Sequence, residues 1–298
     1  MAAITTSSET KVATIENRRG SHAWHVIRRD PLAMLSLTII ALFLIIAIFA
    51  PILAPYPEQG AGKSSADTLY FAPSWEHPFG TDELGRDILS RVMYGARPAF
   101  VVPILVVTIA VAIGAPLGAI AGYKGGWIDE VIMRVTDLFL AFPSLLLAMA
   151  ITAALGRGLE NAAIALIISW WPWYTRLVRG IAVGLRERPF VEAAQSIGVR
   201  DSVIILRHIL PNSISPILVQ ITVDMGTVIL VAGGLAFIGL GTQPPDADWG
   251  LMISTGRTAI LNQWWLSLFP ALAIFVLILA FNLLGDVLRD ILDPRQYQ

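Results

Sequence analysis

Long stretches without a charged side chain constrain this sequence more than any other feature. Asp30 and Glu58 enclose the first, and five more follow along the chain. Most of them exceed the roughly 20 residues that an α-helix needs to cross about 30 Å of hydrocarbon. They are apolar all round, whereas the strands of a membrane β-barrel alternate polar and apolar residues. The pattern predicts an all-α integral membrane protein.

The composition supports the same fold class. Only 14% of the residues are charged, 55% are hydrophobic, and the mean hydropathy is +0.67. Soluble domains carry about 25% charged residues. The net charge of −1 gives no indication of nucleic-acid binding. The absence of cysteine excludes disulfides and thiolate metal sites.

The uncharged stretches predict how the chain is threaded through the bilayer. The fourth reaches full length only if Arg176 and Arg179 extend their charged ends toward the membrane surface. An even number of spans places both termini on one side. That side holds 15 of the 21 Lys and Arg residues and the other side six, which predicts cytoplasmic termini. We predict six transmembrane helices, at 32–54, 99–122, 130–154, 161–184, 213–240 and 266–289.

The remaining segments lie before and between these spans. From Asp87 onward, apolar residues at helical spacing indicate either an interfacial helix that leads into the second span or a simple tether between the spans. Trp249, Trp264 and Trp265 suit an aromatic belt at the lipid headgroups. We divide the chain into a cytoplasmic segment at 1–30 and a transmembrane domain at 31–298, with an external loop at 55–97, a cytoplasmic loop at 185–212 and a second external loop at 241–265.

The cytoplasmic loop 185–212 carries the most specific pattern. Pro189 suits the first turn of a short helix, and Gly198 is placed to end that helix in a left-handed conformation. Asp201 or Ser202 is placed to cap a second short helix, and Pro211 should break it just before the fifth span. The first helix either forms a compact knob for a groove on another protein or lies on the membrane surface.

The same loop resembles the signature of bacterial and archaeal ABC-importer membrane subunits. That signature is Glu-Ala-Ala, three further residues, Gly, and Leu-Pro twelve and thirteen positions beyond the Gly. The positions here are Glu192, Ala193, Ala194, Gly198, Leu210 and Pro211. Phe79–Arg91 and Gly239–Pro245 also resemble the dipeptide/oligopeptide branch, as does the C-terminal region. Over about 20–298 the chain is similar to the C-type permease subunit of such importers.

This resemblance implies a fold and a set of partners. The fold is that of type I ABC importers, and the partners are a second related permease subunit, two cytoplasmic ATPases and an external solute-binding protein. Loop 185–212 would dock in a groove of an ATPase, and its Glu192 would pair with a basic group there. Gly198 would allow the bend, while Leu210 and Pro211 would fix the second helix against the membrane domain.

Several expectations about chemistry and location follow. The sequence has no Gly-x-x-x-x-Gly-Lys-Ser/Thr phosphate loop, so ATP and Mg²⁺ are expected on the partner ATPases and no cofactor in this chain. The resemblance implies a bacterial inner membrane or an archaeal cell membrane. Peptides are the expected substrates, but the same branch carries glutathione, nickel complexes and oligosaccharides.

Two acidic residues lie inside predicted spans. Asp224 either lines the translocation path, where it could meet a peptide ammonium group, or is a paired structural acid that faces a neighbouring subunit. Asp137 lies one turn after Arg134, which favours an intrahelical ion pair over a place in the path. A pair of intramembrane acids is also what an aspartyl protease requires, which is the remote alternative. A stand-alone secondary transporter fits poorly, because no internal repeat is visible.

Overall fold

The structure is a computed structural model that describes residues 30–292. The predicted cytoplasmic segment 1–30 therefore lies, apart from Asp30, outside the described residues. Within 30–292 the chain is helical, and its one β feature is an isolated bridge between Thr81 and Asp87. The helices are α1 (Pro31–Leu53), α2 (Pro57–Gly60), α3 (Ile88–Lys124), α4 (Gly126–Leu140), α5 (Ser144–Leu155), α6 (Leu159–Arg186), α7 (Pro189–Ser196), α8 (Asp201–Ile204), α9 (Leu210–Phe237), α10 (Trp249–Gly256) and α11 (Trp265–Leu292).

Aspartate side chains cap the N-termini of three of these helices. Asp30 Oδ1 accepts hydrogen bonds from two main-chain N–H groups in the first turn of α1, at 2.8 and 3.2 Å. Asp87 Oδ2 accepts from the main-chain N–H of Ser90 at 2.7 Å, and Asp248 caps α10 in the same way. Each cap satisfies donors that have no partner within the helix. Gly125, with φ of +64°, ends α3 and turns the chain into α4.

The predicted third span, 130–154, is wrong as a single helix. The chain breaks at Phe142 and Pro143, and α4 and α5 meet at an angle of 84°. Proline has no N–H group and disfavours the α-conformation in the residue before it, which explains the break. A helix begins directly after Asp87 and leads into the second span, as predicted, and the two form one continuous helix, α3, from Ile88 to Lys124.

The number of membrane crossings is only partly established by the structure. Within residues 30–292, four helical segments are long and apolar enough to cross a membrane: α1, α3, the continuous stretch 201–237, and α11. The bent pair α4 and α5 counts as a fifth if it crosses as one unit. Helix α6 has 28 residues but carries Arg176 and Arg179 in its second half. Six spans and cytoplasmic termini therefore stay a prediction.

The closest helix packing joins α3 to α6. Gly114, Gly118 and Gly122 lie four residues apart and so face one side of α3. A β-carbon at these positions would lie 2.4, 2.3 and 2.6 Å from main-chain oxygens of α6. Only glycine allows two backbones to approach so closely, which is how small residues join helices in membranes.

The two segments predicted to be external pack against the long helices. Trp249 and Trp265 are buried, and their indole N–H groups donate to the main-chain oxygens of Val92 at 2.9 Å and Thr81 at 3.2 Å. The predicted aromatic belt is therefore wrong for these two residues. Trp249 ties the start of α10 to α3, and Trp265 ties the segment before α3 to α11. Trp264 is half exposed.

Candidate functional site

The cytoplasmic loop predicted at 185–212 contains two short helices, α7 and α8, joined by a glycine turn. Pro189 is the first residue of α7. Gly198 follows the end of α7 with φ of +77°, which confirms the predicted left-handed turn. No atom lies within 4 Å of a β-carbon built on Gly198, so backbone conformation, and not space, favours glycine there.

The signature residues divide between the surface and the interior. Glu192 and Ala193 are exposed on α7, whereas Ala194 packs inward beside Val191. Ile197, directly after α7, is also exposed. Helix α7 thus presents a small, exposed Glu-Ala surface.

The second half of the loop differs from the prediction at both ends. Asp201 is the first residue of α8, but neither it nor Ser202 caps the helix. Pro211 does not interrupt the helix either, because a π-helical turn, Ile205–Ile209, connects α8 directly to α9. A π turn is wider than an α turn and is a common feature of functional sites. Pro211 lies just after it, in the first turn of α9, where a missing N–H is tolerated.

Asp201 instead anchors the loop to α3. Lys124 Nζ donates to Asp201 Oδ2 at 2.6 Å, and the Tyr123 hydroxyl donates to Asp201 Oδ1 at 3.1 Å. Gln195 Nε2, on α7, donates to the same hydroxyl oxygen at 3.1 Å. The last two residues of α3 therefore hold both short helices of the loop. Sequence spacing carries no signal of this cluster, because the two α3 residues lie more than 70 positions from the loop residues they bind.

A cleft of about 500 Å³ lies beside α7. Glu192 and Gln195 line it from the loop, and Asp129 and Arg179 line it from the bundle. Arg179 donates twice to Asp129, through Nε at 2.5 Å and through a terminal nitrogen at 2.6 Å. This two-point contact fixes α6 against α4 with a defined geometry.

The first intramembrane acid has a different partner from the one predicted. Arg176, on α6, donates to Asp137 Oδ1 at 2.5 Å, whereas Arg134 pairs with Glu130 at 3.3 Å. The predicted Arg134–Asp137 pair is therefore wrong. The actual partner lies 39 residues away, and only the folded chain brings it next to Asp137. This second ion pair also joins α4 to α6.

The second acid, Asp224, is buried inside the chain. Gln220 Nε2 donates to its Oδ1 at 3.0 Å. Its Oδ2 faces Tyr174 and Trp170 of α6 but makes no hydrogen bond within residues 30–292. In this conformation Asp224 thus lies between α9 and α6, and not on an outer face toward another subunit. Asp137 and Asp224 each have their own neighbours, so they do not form the proton-sharing pair of an aspartyl protease.

The segment Phe79–Arg91 forms a buried polar cluster outside the bundle. His77 Nδ1 lies 3.0 Å from Asp87 Oδ1, and Arg86 Nε lies 2.7 Å from Asp82 Oδ2. Arg91 donates to the main-chain oxygens of residues 245 and 246, at 3.3 and 3.2 Å. The cluster therefore ties the two external loops together and accounts structurally for the charged residues of this motif.

A buried carboxyl lies in the second external loop. Burial raises the pKa of Asp248, and hydrogen bonds from Thr242 and the first turn of α10 oppose that rise. The residue caps a helix, so its role there is structural.

Comparisons with known proteins identify the family. Residues 114–297 match the family described as "Binding-protein-dependent transport system inner membrane component", and residues 19–73 match the "N-terminal TM domain of oligopeptide transport permease C". The chain is 46% identical to the dipeptide transport system permease protein DppC of Alkalihalophilus pseudofirmus, over 92% of this chain and 89% of that protein. It is also 46% identical to the glutathione transport system permease protein GsiD of Escherichia coli, over 91% and 89%.

A solved structure agrees at the level of the fold. A chain of the MetNI methionine ABC transporter, in an inward-facing conformation, matches with a TM-score of 0.55 and 16% identity. The match covers 67% of this chain and 96% of that one. Because the family match covers more than half of the sequence, the assignment does not depend on this distant likeness. The chain belongs to the family of binding-protein-dependent transport system inner membrane components, and it is a multi-pass permease subunit of an ABC importer and not an enzyme.

Proposed function

We propose that this chain forms half of the translocation path of an ATP-driven importer for dipeptides and oligopeptides. Loop 185–212 couples the chain to an ATPase by docking the exposed Glu192–Ala193 surface of α7 in a groove of that subunit. The observation that carries the proposal is that Glu192 and Ala193 of the signature lie exposed on a short helix that is attached to α3. A surface that transmits force needs both exposure and attachment to the moving body.

The proposal includes the assembly and its orientation. The partners are a second related permease subunit, two ATP-binding subunits that hold ATP and Mg²⁺, and an external solute-binding protein. The chain crosses a bacterial inner membrane, or an archaeal cell membrane, six times with both termini in the cytoplasm. The 15-to-6 division of Lys and Arg supports this orientation. The length of α6 supports a sixth crossing, with Arg176 and Arg179 near the inner surface.

ATP acts on the permease only through contacts that differ between two states of the bundle. Closure of the ATPases moves α7, and the bundle changes between inward-open and outward-open arrangements. Gly198 gives the turn between α7 and α8, and Leu210 and Pro211 position the start of α9. Asp137 holds α4 to α6 through Arg176, whereas Asp224 accepts a hydrogen bond from Gln220 within α9.

Glutathione is the second candidate substrate. The observation that favours it is the equal identity, 46%, to the dipeptide and glutathione permeases. Uptake of dialanine and of glutathione, measured in proteoliposomes with the cognate binding protein, separates the two. Dialanine uptake supports the first candidate, and uptake of glutathione alone replaces it with the second.

The assembly is tested by co-purification of the tagged chain from native membranes in mild detergent. We expect two ATPase chains and a second permease in the complex. Recovery of a stable chain without ATPase partners would contradict the proposal.

Two substitutions test the docking surface itself. Ala193→Trp should prevent ATPase association by bulk, and Gly198→Pro should weaken it because proline cannot adopt a φ of +77°. Both variants should still insert into the membrane. Ala154→Trp, at an exposed position near the end of α5, is the matched control for bulk and should leave the complex intact. An unchanged ATPase yield in the Ala193 variant would refute a docking role for α7.

A further inference from the structure

The two short helices of the loop share one anchor at the end of α3. Gln195 of α7 and Asp201 of α8 both bind the Tyr123 hydroxyl, and Asp201 also pairs with Lys124. Tyr123 is buried, so its hydroxyl is held in a fixed position. A displacement of α7 or α8 therefore acts directly on the final turn of α3.

Helices α3 and α6 behave as one body at this end of the molecule. The backbones meet at Gly114, Gly118 and Gly122, where the nearest atoms of α6 are main-chain atoms and β-carbons that cannot rotate away. The loop leaves α6 at Arg186 and returns to α3 through the contacts just described. It is thus attached to this body at both ends of α7.

The connection from the loop to α9 is of a different kind. The π-helical turn Ile205–Ile209 packs against α3 and α6, and Ile205 and Ile209 are buried. Pro211, directly after the turn, contributes no N–H to the helix. π turns and prolines are the usual places where helices change direction. Bending between the loop and α9 is therefore concentrated at 205–211.

We propose that Tyr123 and Lys124 are positioning residues that carry the movement of the coupling loop into the α3–α6 body, while α9 bends relative to that body at the π turn. The proposal rests on the proposed function, since it names the contact through which the loop acts. In this proposal the hydrogen bonds of Gln195 and Asp201 transmit the movement of the loop to α3. The exposed surface of α7 binds the ATPase.

The test measures transport per ATP in the whole complex, reconstituted in proteoliposomes with its binding protein. The variants are Lys124→Ala, Asp201→Ala and the charge swap Lys124→Asp with Asp201→Lys. The control is Arg134→Ala, which removes another exposed ion pair, the one with Glu130 on α4. The readouts are complex yield, apparent melting temperature, ATP hydrolysis and uptake of radiolabelled dialanine.

We expect each single variant to assemble and hydrolyse ATP, with dialanine uptake per ATP reduced about two- to fivefold, the size of effect an exposed ion pair has on a two-state equilibrium. The charge swap should recover most of the loss, and Arg134→Ala should behave as the unsubstituted complex does. Uptake per ATP equal to that of the unsubstituted complex in both single variants would overturn the proposal. A loss of complex yield that parallels the loss of uptake would also overturn it, because the pair would then serve assembly.

Failure of the proposed function gives a different result. In that case the unsubstituted complex itself lacks ATPase chains or takes up no dialanine, whatever the state of Lys124.

Discussion

The contact between α3 and α6 allows a quantitative test at Gly118. A β-carbon there would lie 2.3 Å from the main-chain oxygen of Thr175 and 2.9 Å from the main-chain nitrogen of Arg179. Ordinary contact begins at 3.4 Å, so Gly118→Ala must separate the helices by about 1.1 Å. Backbone atoms cannot rotate away as a side chain would, and overpacking of this kind costs about 1–3 kcal/mol. Alanine also stabilises a helix by about 0.5–1 kcal/mol relative to glycine, which offsets part of this cost.

The two ranges leave a net loss for Gly118→Ala of about 0–2.5 kcal/mol, centred near 1.3 kcal/mol. At about 2–4 °C for each kcal/mol, the central value lowers the apparent melting temperature by about 3–5 °C. We would measure it on the purified chain in detergent by the loss of monodisperse protein on heating. Gly180→Ala is the matched control, because Gly180 lies in a helix with no atom within 4 Å of the added carbon. That variant should melt at the same temperature or higher. A Gly118 variant that is as stable as the Gly180 variant would refute the close packing.

Two further substitutions test the polar contacts. Arg179→Lys keeps the charge but cannot form the two-point contact with Asp129, so the apparent melting temperature should fall by about 2–4 °C, and an unchanged temperature would show that the guanidinium geometry is irrelevant. Asp87→Ala removes the cap of α3 and the partner of buried His77, and should cost about 1–2 kcal/mol. Asp87→Asn keeps a capping oxygen and should cost less; an equal cost in both variants would contradict the capping role.

The sequence predicted those features that depend on neighbouring residues. The uncharged stretches located the long helices, and the order of Pro189, the Glu-Ala-Ala run and Gly198 predicted α7 and the turn after it. Local rules succeed there because the responsible atoms lie within one or two turns. The resemblance then identified the family, which the comparisons confirm.

Most of the errors concern features that depend on distant contacts, whereas the break at Pro143 in the predicted third span follows a local rule. Asp201 is a good capping residue by type, but Lys124 and Tyr123 bind its carboxylate more than 70 residues away. By local rules Pro211 should end a helix. The π turn directly before it instead continues the helix into α9. Asp137 pairs with an arginine on another helix and not with its helical neighbour. None of these partners could be predicted from sequence spacing.

The central claim, that α7 docks on an ATPase, is most directly tested by cross-linking. The chain has no cysteine, so Ala193→Cys places a single thiol on the exposed surface of α7. Trp75→Cys places one on the exposed part of the external segment as the matched control. A short thiol-to-amine cross-linker in native membranes should join the first variant to an ATPase chain and leave the second without that product. No ATPase adduct at Ala193→Cys, in a complex that contains the ATPases, would contradict the account.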